Sequence, residues 1–151
     1  MLTNNRVYKI LPVQIPQFWD AIKFACAQAD EVKKEDAANY YNELLQLLLS
    51  DKAQCFVALD EKNILHSIGV TRILVDKVQD RKELCIQCLY SMSMISDEDL
   101  QRYFNFVIQF AKTAECKVIT YNSKNPRIWQ IATTIGCTER YRSFSYNLGG
   151  L

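Results

Sequence analysis

Three stretches of this 151-residue chain hold residue types able to do chemistry: a cysteine pair, a lone histidine and an acidic helix start. Cys85-Ile-Gln-Cys88 has the spacing of half a zinc site. It lies in an apolar, strand-like run, where alternation predicts that residues three apart occupy opposite faces. No second Cys or His pair follows at zinc-site spacing, and Cys26, Cys55, Cys116 and Cys137 are scattered singly. The six cysteines therefore read as buried, reduced thiols, with no metal site. His66 is the only histidine, so a Ser-His or Cys-His dyad has to use it. Its place inside the strand-like "ILHSIGV" points instead to a structural ring with satisfied nitrogens. Ser96-Asp97-Glu98-Asp99 fits a Ser-x-x-Asp helix cap. In that pattern the Ser96 hydroxyl accepts a first-turn N–H and Asp99 reaches back.

Composition limits what such residues can serve. Hydrophobic residues make up 49% and charged residues 23%, values of an average globular protein, and the length suits one domain over 1–151. Eighteen basic against 17 acidic side chains leave a net charge of +1, which supplies no field for nucleic acid or an anionic membrane. The short basic clusters, Lys33-Lys34, Arg81-Lys82 and Arg140 with Arg142, read as solvated surface charge. The longest apolar run, around Leu44–Leu49, is far shorter than the ~20 residues a bilayer span needs. "MLTNNRVYKI" lacks the basic stretch and apolar core of a signal peptide, so the expected location is a reducing cytoplasm.

The elements that must position these residues follow from periodicity. Val7 to Leu11 alternates and stops at Pro12, a short strand. Pro16 to Asp30 and about Glu35 to Leu49 each present one apolar face at helical spacing. Cys55 to Leu59, the turn Asp60-Glu61-Lys62-Asn63 and Ile64 to Val75 form a hairpin. Leu84 to Met92 adds a third strand after the turn Gln79–Lys82. Leu100, Tyr103, Phe104, Val107, Ile108 and Ala111 mark an amphipathic helix behind the Ser96 cap. Lys117 to Tyr121 is a strand, Pro126 opens a helix that ends at a left-handed Gly136, and Thr138–Arg142 and Phe144–Leu148 are two closing strands. The order β-α-α-β-β-β-α-β-α-β-β predicts an α/β (α+β) mixed sheet with helices on both faces.

That order resembles the GCN5-related N-acetyltransferase (GNAT) fold over the whole chain. "NPRIWQIATTIGC" is similar to the family's fourth-helix signature, with Asn125, Ile128, Ile131 and Ile135-Gly136 on the pattern. The resemblance implies acetyl-CoA as cofactor, with the backbone of Met92 and Ser93 beside the pantetheine arm and Asn125 near the cofactor. It also implies a tyrosine that protonates the departing thiolate; here that position is Ala132, so no catalytic residue is assigned. Tyr141 and Tyr121 are the conceivable substitutes. For the general base, which the family takes from its middle strands, Glu83 and Asp76 are the candidates, and both read more simply as strand-edge charges.

The family's Gln/Arg-x-x-Gly-x-Gly/Ala loop, which holds the pyrophosphate on free N–H groups of a helix start, has no counterpart. No glycine occurs between Val70 and Ile135. The expected function is therefore a GNAT-fold protein with a degenerate acetyl-CoA site, without cofactor, acting as a binding or structural protein. "TTIGCTERYRSFSYNL" is similar to small GNAT-like proteins of tailed bacteriophages, which suggests virion assembly and a location in host cytoplasm or virion. An unknown protein partner is expected, with self-association through Phe144 and Tyr146 left open, and no nucleic acid or membrane. Two alternatives stand: an active N-acetyltransferase using acetyl-CoA at an unusual pyrophosphate site, and an unrelated small α+β binding module.

Overall fold

The computed structural model describes residues 5–30, 32–123 and 125–149; the reading of "MLTNNRVYKI" as lacking signal-peptide features rests in part on residues 1–4, which lie outside them. Strand β1 (Arg6–Ile10) ends where Pro12 removes a backbone donor, and a 3-10 turn (Pro12–Gln14) leads into helix α1 (Ile15–Ala29). A second 3-10 turn (Lys34–Asp36) opens helix α2 (Ala37–Leu49). Strands β2 (Ala53–Leu59), β3 (Leu65–Asp76) and β4 (Arg81–Ser91) follow as a meander. Helix α3 (Asp97–Thr113), strand β5 (Val118–Tyr121) and helix α4 (Pro126–Thr134) complete the regular structure.

The sheet runs β1-β2-β3-β4-β5; its first three pairings are antiparallel and β4–β5 is parallel. Helices α1 and α2 pack on one face, where Ile15, Ile22, Ala25, Leu44 and Leu48 meet Cys55, Val57, Ile68, Val70 and Cys88. Helix α3 covers the other, placing Tyr103, Val107 and Ala111 on Phe56, Ala58 and Leu84. Six successive residues of β2, Ala53–Ala58, are buried because both faces of the strand are covered. Tyr103 crosses to donate from Oη to the Phe56 carbonyl at 2.8 Å, and it fits because Gly69 has no Cβ to strike that hydroxyl. Buried Gln54 and Thr71 satisfy each other at 2.9 Å on the same face.

Two expected features are corrected. The closing strands Thr138–Arg142 and Phe144–Leu148 do not form: residues 138–147 have no regular structure and every side chain there is exposed. Their apolar alternation is genuine, but a strand needs a ladder partner, and none lies beside them among the described residues. Burial of all six thiols also fails: Cys26, Cys55 and Cys88 are buried, Cys85 and Cys116 only partly, and Cys137 is exposed.

Two β-bulges shape the sheet. Ala58 pairs with Ser67 but Leu59 pairs with Leu65, so His66 is an extra residue in β3. Val70 pairs with Cys88 but Thr71 pairs with Ile86, so Gln87 is an extra residue in β4. Each bulge reverses the alternation, which is why Leu84 and Leu89 share the α3 face while Cys88 and Tyr90 pack under α1 and α2. Cys85, paired with Arg72, therefore shares the face of Cys88, contrary to simple alternation. No group of three His, Cys, Asp or Glu among the described residues is arranged to hold a metal ion.

Candidate active site and the helix start beside it

Strand β5 pairs with β4 only from Glu83–Val118 to Ile86–Tyr121. Beyond that point β4 continues through Gln87 to Ser91 with no strand on its outer side among the described residues. The ladder to β5 ends beside the Gln87 bulge, so the outer backbone groups of β4 beyond it have no strand partner among the described residues. Polar side chains converge there from three elements. Tyr40 of α2 donates to the carboxylate of Asp30, the residue closing α1, at 2.5 Å, and Gln87 Nε2 lies 3.5 Å from both. Gln87 Oε1 is buried with no hydrogen-bond partner among the described residues. Burial, then the bond to Asp30, pushes the Tyr40 phenol well above its ordinary range. Tyr121, at the end of β5, is pushed up to about 12 by burial and then by nearby Cys88. It stays protonated at neutral pH and is the better placed of the two substitute tyrosines, since Tyr141 is exposed against Arg140.

The two strand carboxylates have structural uses. Glu83 pairs with Arg140 at 2.7 Å, and Asp76 accepts from the backbone N–H groups of Val78 and Gln79 in the β3–β4 turn. Asp30 is the carboxylate beside Gln87, and no local pattern marks it, because α1 has to dock before the helix end reaches Gln87.

Helix α3 begins as its sequence predicts. The Ser96 hydroxyl accepts the Asp99 N–H at 3.1 Å, and Asp97, Glu98 and Asp99 fill the first turn. The second half of the cap differs from expectation, for the buried Asp99 carboxylate turns to Arg102 Nη1 at 2.8 Å. Arg102 also donates to the Asn5 carbonyl at 3.2 Å. Arg102, a cation of this turn, is thus held by protein acceptors, and the depression beside it is lined by Asp97, Glu98, Gln101, Arg102 and Asn105. A diphosphate at this turn meets exposed carboxylates. One of them about 5 Å from a phosphate charge costs ~3 kcal/mol at an effective dielectric of about 20, before salt screening. The helix dipole returns only about 0.3–1 kcal/mol.

Asn125 caps α4, its Oδ1 accepting the Arg127 N–H at 3.0 Å, and Gly136 takes the left-handed φ of 98° at the helix end. Ala132 lies half-buried on α4, a helix with no fully buried residue. The Met92 N–H donates inward to the His66 carbonyl at 2.8 Å. Ser93 is exposed, and its Oγ lies 3.0 Å from His66 Nδ1. The other ring nitrogen lies 2.8 Å from Asp60 Oδ2, so both nitrogens of His66 are satisfied as expected. What the sequence did not reveal is that the partners are an acid and an exposed serine. No helix among the described residues is long and apolar enough to cross a membrane.

No protein-family model and no curated protein sequence matches this chain. Solved structures do match, end to end. A predicted acetyltransferase with acetyl-CoA from Clostridium acetobutylicum superposes with a TM-score of 0.72 at 12% identity, covering 95% of this chain and 96% of that one. The ribosomal-protein-alanine N-acetyltransferase of Brucella melitensis gives 0.69 at 15%, covering 96% and 99%. A GNAT family acetyltransferase of Staphylococcus aureus gives 0.65 at 13%, covering 97% and 100%. The fold is that of the GNAT acetyltransferases, which sets aside an unrelated α+β module.

Proposed function

We propose that this chain is a GNAT-fold protein whose coenzyme A site is degenerate and that it works by binding a partner protein, in a structural or assembly role. The observation that carries the reading is the start of α3. Its serine hydroxyl and three carboxylates occupy the turn where the fold would present free N–H groups to a diphosphate, and Arg102 is already paired with Asp99. Ala132 in place of a proton-donating tyrosine supports the same reading. Loss of a general acid typically costs 10²–10⁴-fold in rate. The exposed Tyr141, Phe144, Tyr146 and Leu148 supply apolar contact area for the partner, a second copy of the chain included. The tail's likeness to small phage proteins suggests virion assembly as the setting.

A second reading, an active N-acetyltransferase, is favoured by one observation. Asp30, Tyr40 and Gln87 meet where the β4–β5 ladder ends, and Gln87 Oε1, unpartnered among the described residues, is an acceptor suited to an amine. The solved relatives that hold coenzyme A or acetyl-CoA share the whole fold.

Thermal unfolding with acetyl-CoA at about 1 mM separates the two. Binding at 100 times Kd adds about 2.7 kcal/mol and raises the midpoint. The expected result is an unchanged midpoint; a clear rise, with acetyl transfer to amines, supports the enzyme and overturns the first reading.

A further inference from the structure

We propose that Ser93, His66 and Asp60 form a nucleophilic site that takes an acyl group from an activated acyl ester onto Ser93 Oγ. This goes beyond the partner-binding reading and does not rest on it. The three residues come from separate places: the turn after β2, the bulge in β3 and the loop after β4. His66 is the extra residue of its bulge, a device that re-aims a side chain out of the strand's alternation. Ser93 Oγ lies 3.0 Å from His66 Nδ1 and Asp60 Oδ2 lies 2.8 Å from His66 Nε2, the nucleophile–base–orienter chain of acyl-transfer enzymes.

The chain also has the right polarity. Asp60 is fixed by the N–H groups of Lys62 and Ile64, which donate to Oδ1 at 2.8 and 2.9 Å. The His66 bond, followed by the Ile64 N–H, lowers its carboxyl below the usual range, so it is ionised at neutral pH and can only accept. In the neutral ring, Nε2 therefore carries the hydrogen toward Asp60, which leaves Nδ1 as an acceptor for the Ser93 O–H. Nitrogen roles are exchanged relative to serine proteases, where the carboxylate holds Nδ1 and the nucleophile meets Nε2. Placement is firm on both sides. Met92 N–H donates to the His66 carbonyl at 2.8 Å, and the Ser91 hydroxyl donates its one proton to the Ser93 carbonyl, with the His66 carbonyl 3.3 Å from the same Oγ. Ser93 itself is exposed, while the side chains of His66 and Asp60 keep 21% and 22% of their surface, so the nucleophile is reachable and its base is partly shielded.

The step balances. Ser93 Oγ attacks the acyl carbonyl carbon as its proton passes to His66 Nδ1. The bond from carbonyl carbon to leaving oxygen or sulfur then breaks, and that proton leaves with the phenol or thiol. The product is an ester on Ser93; in a slower second step water attacks its carbonyl carbon as a water proton passes to His66 Nδ1, the bond from that carbon to Ser93 Oγ breaks, and the proton returns to Oγ with release of the carboxylic acid. The donor must be activated, such as an aryl ester or a thioester.

The test uses p-nitrophenyl acetate, which contains no coenzyme, so its outcome is independent of acetyl-CoA binding. Intact-mass and peptide analysis are expected to find one acetyl group, on Ser93. Acylation is expected to fall at least ~10²-fold in Ser93→Ala and His66→Gln, the usual scale of general-base assistance. Replacement of exposed Ser143 by Ala is expected to leave it unchanged. The parent rate should rise with pH to a plateau, a limb missing from His66→Gln. Ser93→Ala alters only an exposed hydroxyl, and its thermal midpoint checks folding. Acetylation confined to lysines, or an unchanged rate in folded Ser93→Ala, overturns the proposal.

Discussion

Single residues here act through what their atoms touch rather than through their own type. Tyr103 and Gly69 are one such pair. The phenol reaches the Phe56 carbonyl only because position 69 has no Cβ, and burial holds its ionisation well above the ordinary range. Tyr103→Phe is expected to cost about 1–2 kcal/mol in urea unfolding, the scale of one buried hydrogen bond lost with its acceptor left behind. Gly69→Ala is expected to cost at least as much, because the new methyl group displaces the hydroxyl. An unchanged urea midpoint in Gly69→Ala would mean that α3 can shift to make room. His66 teaches the same lesson. As a residue type it promised only a satisfied ring, and its partners Asp60 and Ser93 are brought in from turns on either side.

Among the elements, the start of α3 and the two bulges decide the most. The Ser96 cap was legible because capping is local chemistry within four consecutive residues. Ser96→Ala is therefore expected to lower stability by about 1 kcal/mol, and Ser96→Gly by only a few tenths, since glycine also suits a cap. If the alanine variant unfolds at the parent midpoint, the acidic first turn alone holds the helix start. Neither bulge was legible. Each depends on the count of residues in the partner strand, and His66 and Gln87 carry no glycine or proline signature of an irregular strand. The bulge at Gln87 is why Cys85 and Cys88 share a face, and the ladder to β5 ends beside it.

Across the whole molecule, two helices on one face and one on the other enclose a core that runs from Ile10 to Ala111. The C-terminal segment stands apart from it. Its side chains are exposed, and Arg140 ties it to the sheet through Glu83. Limited trypsin digestion is expected to cut first after Arg142, in backbone without a ladder, and to leave the core intact by mass spectrometry. First cuts within α1 or β2 instead would show the segment to be held in place in solution. A partner engaging Phe144, Tyr146 and Leu148 should slow that first cut.

The sequence by itself determined the order of the first nine elements, the capped start of α3, the Asn125 cap and the turn at Asp60–Asn63. Each is set by periodicity or by hydrogen bonds within a few residues. Only the tertiary structure decided which polar groups meet. Asp30 with Tyr40 and Gln87, and Asp60 with His66 and Ser93, depend on helix docking and strand register, which are sums over many distant contacts. The same holds for the closing segment, whose alternation specifies a strand while its ladder partner has to come from elsewhere in the fold.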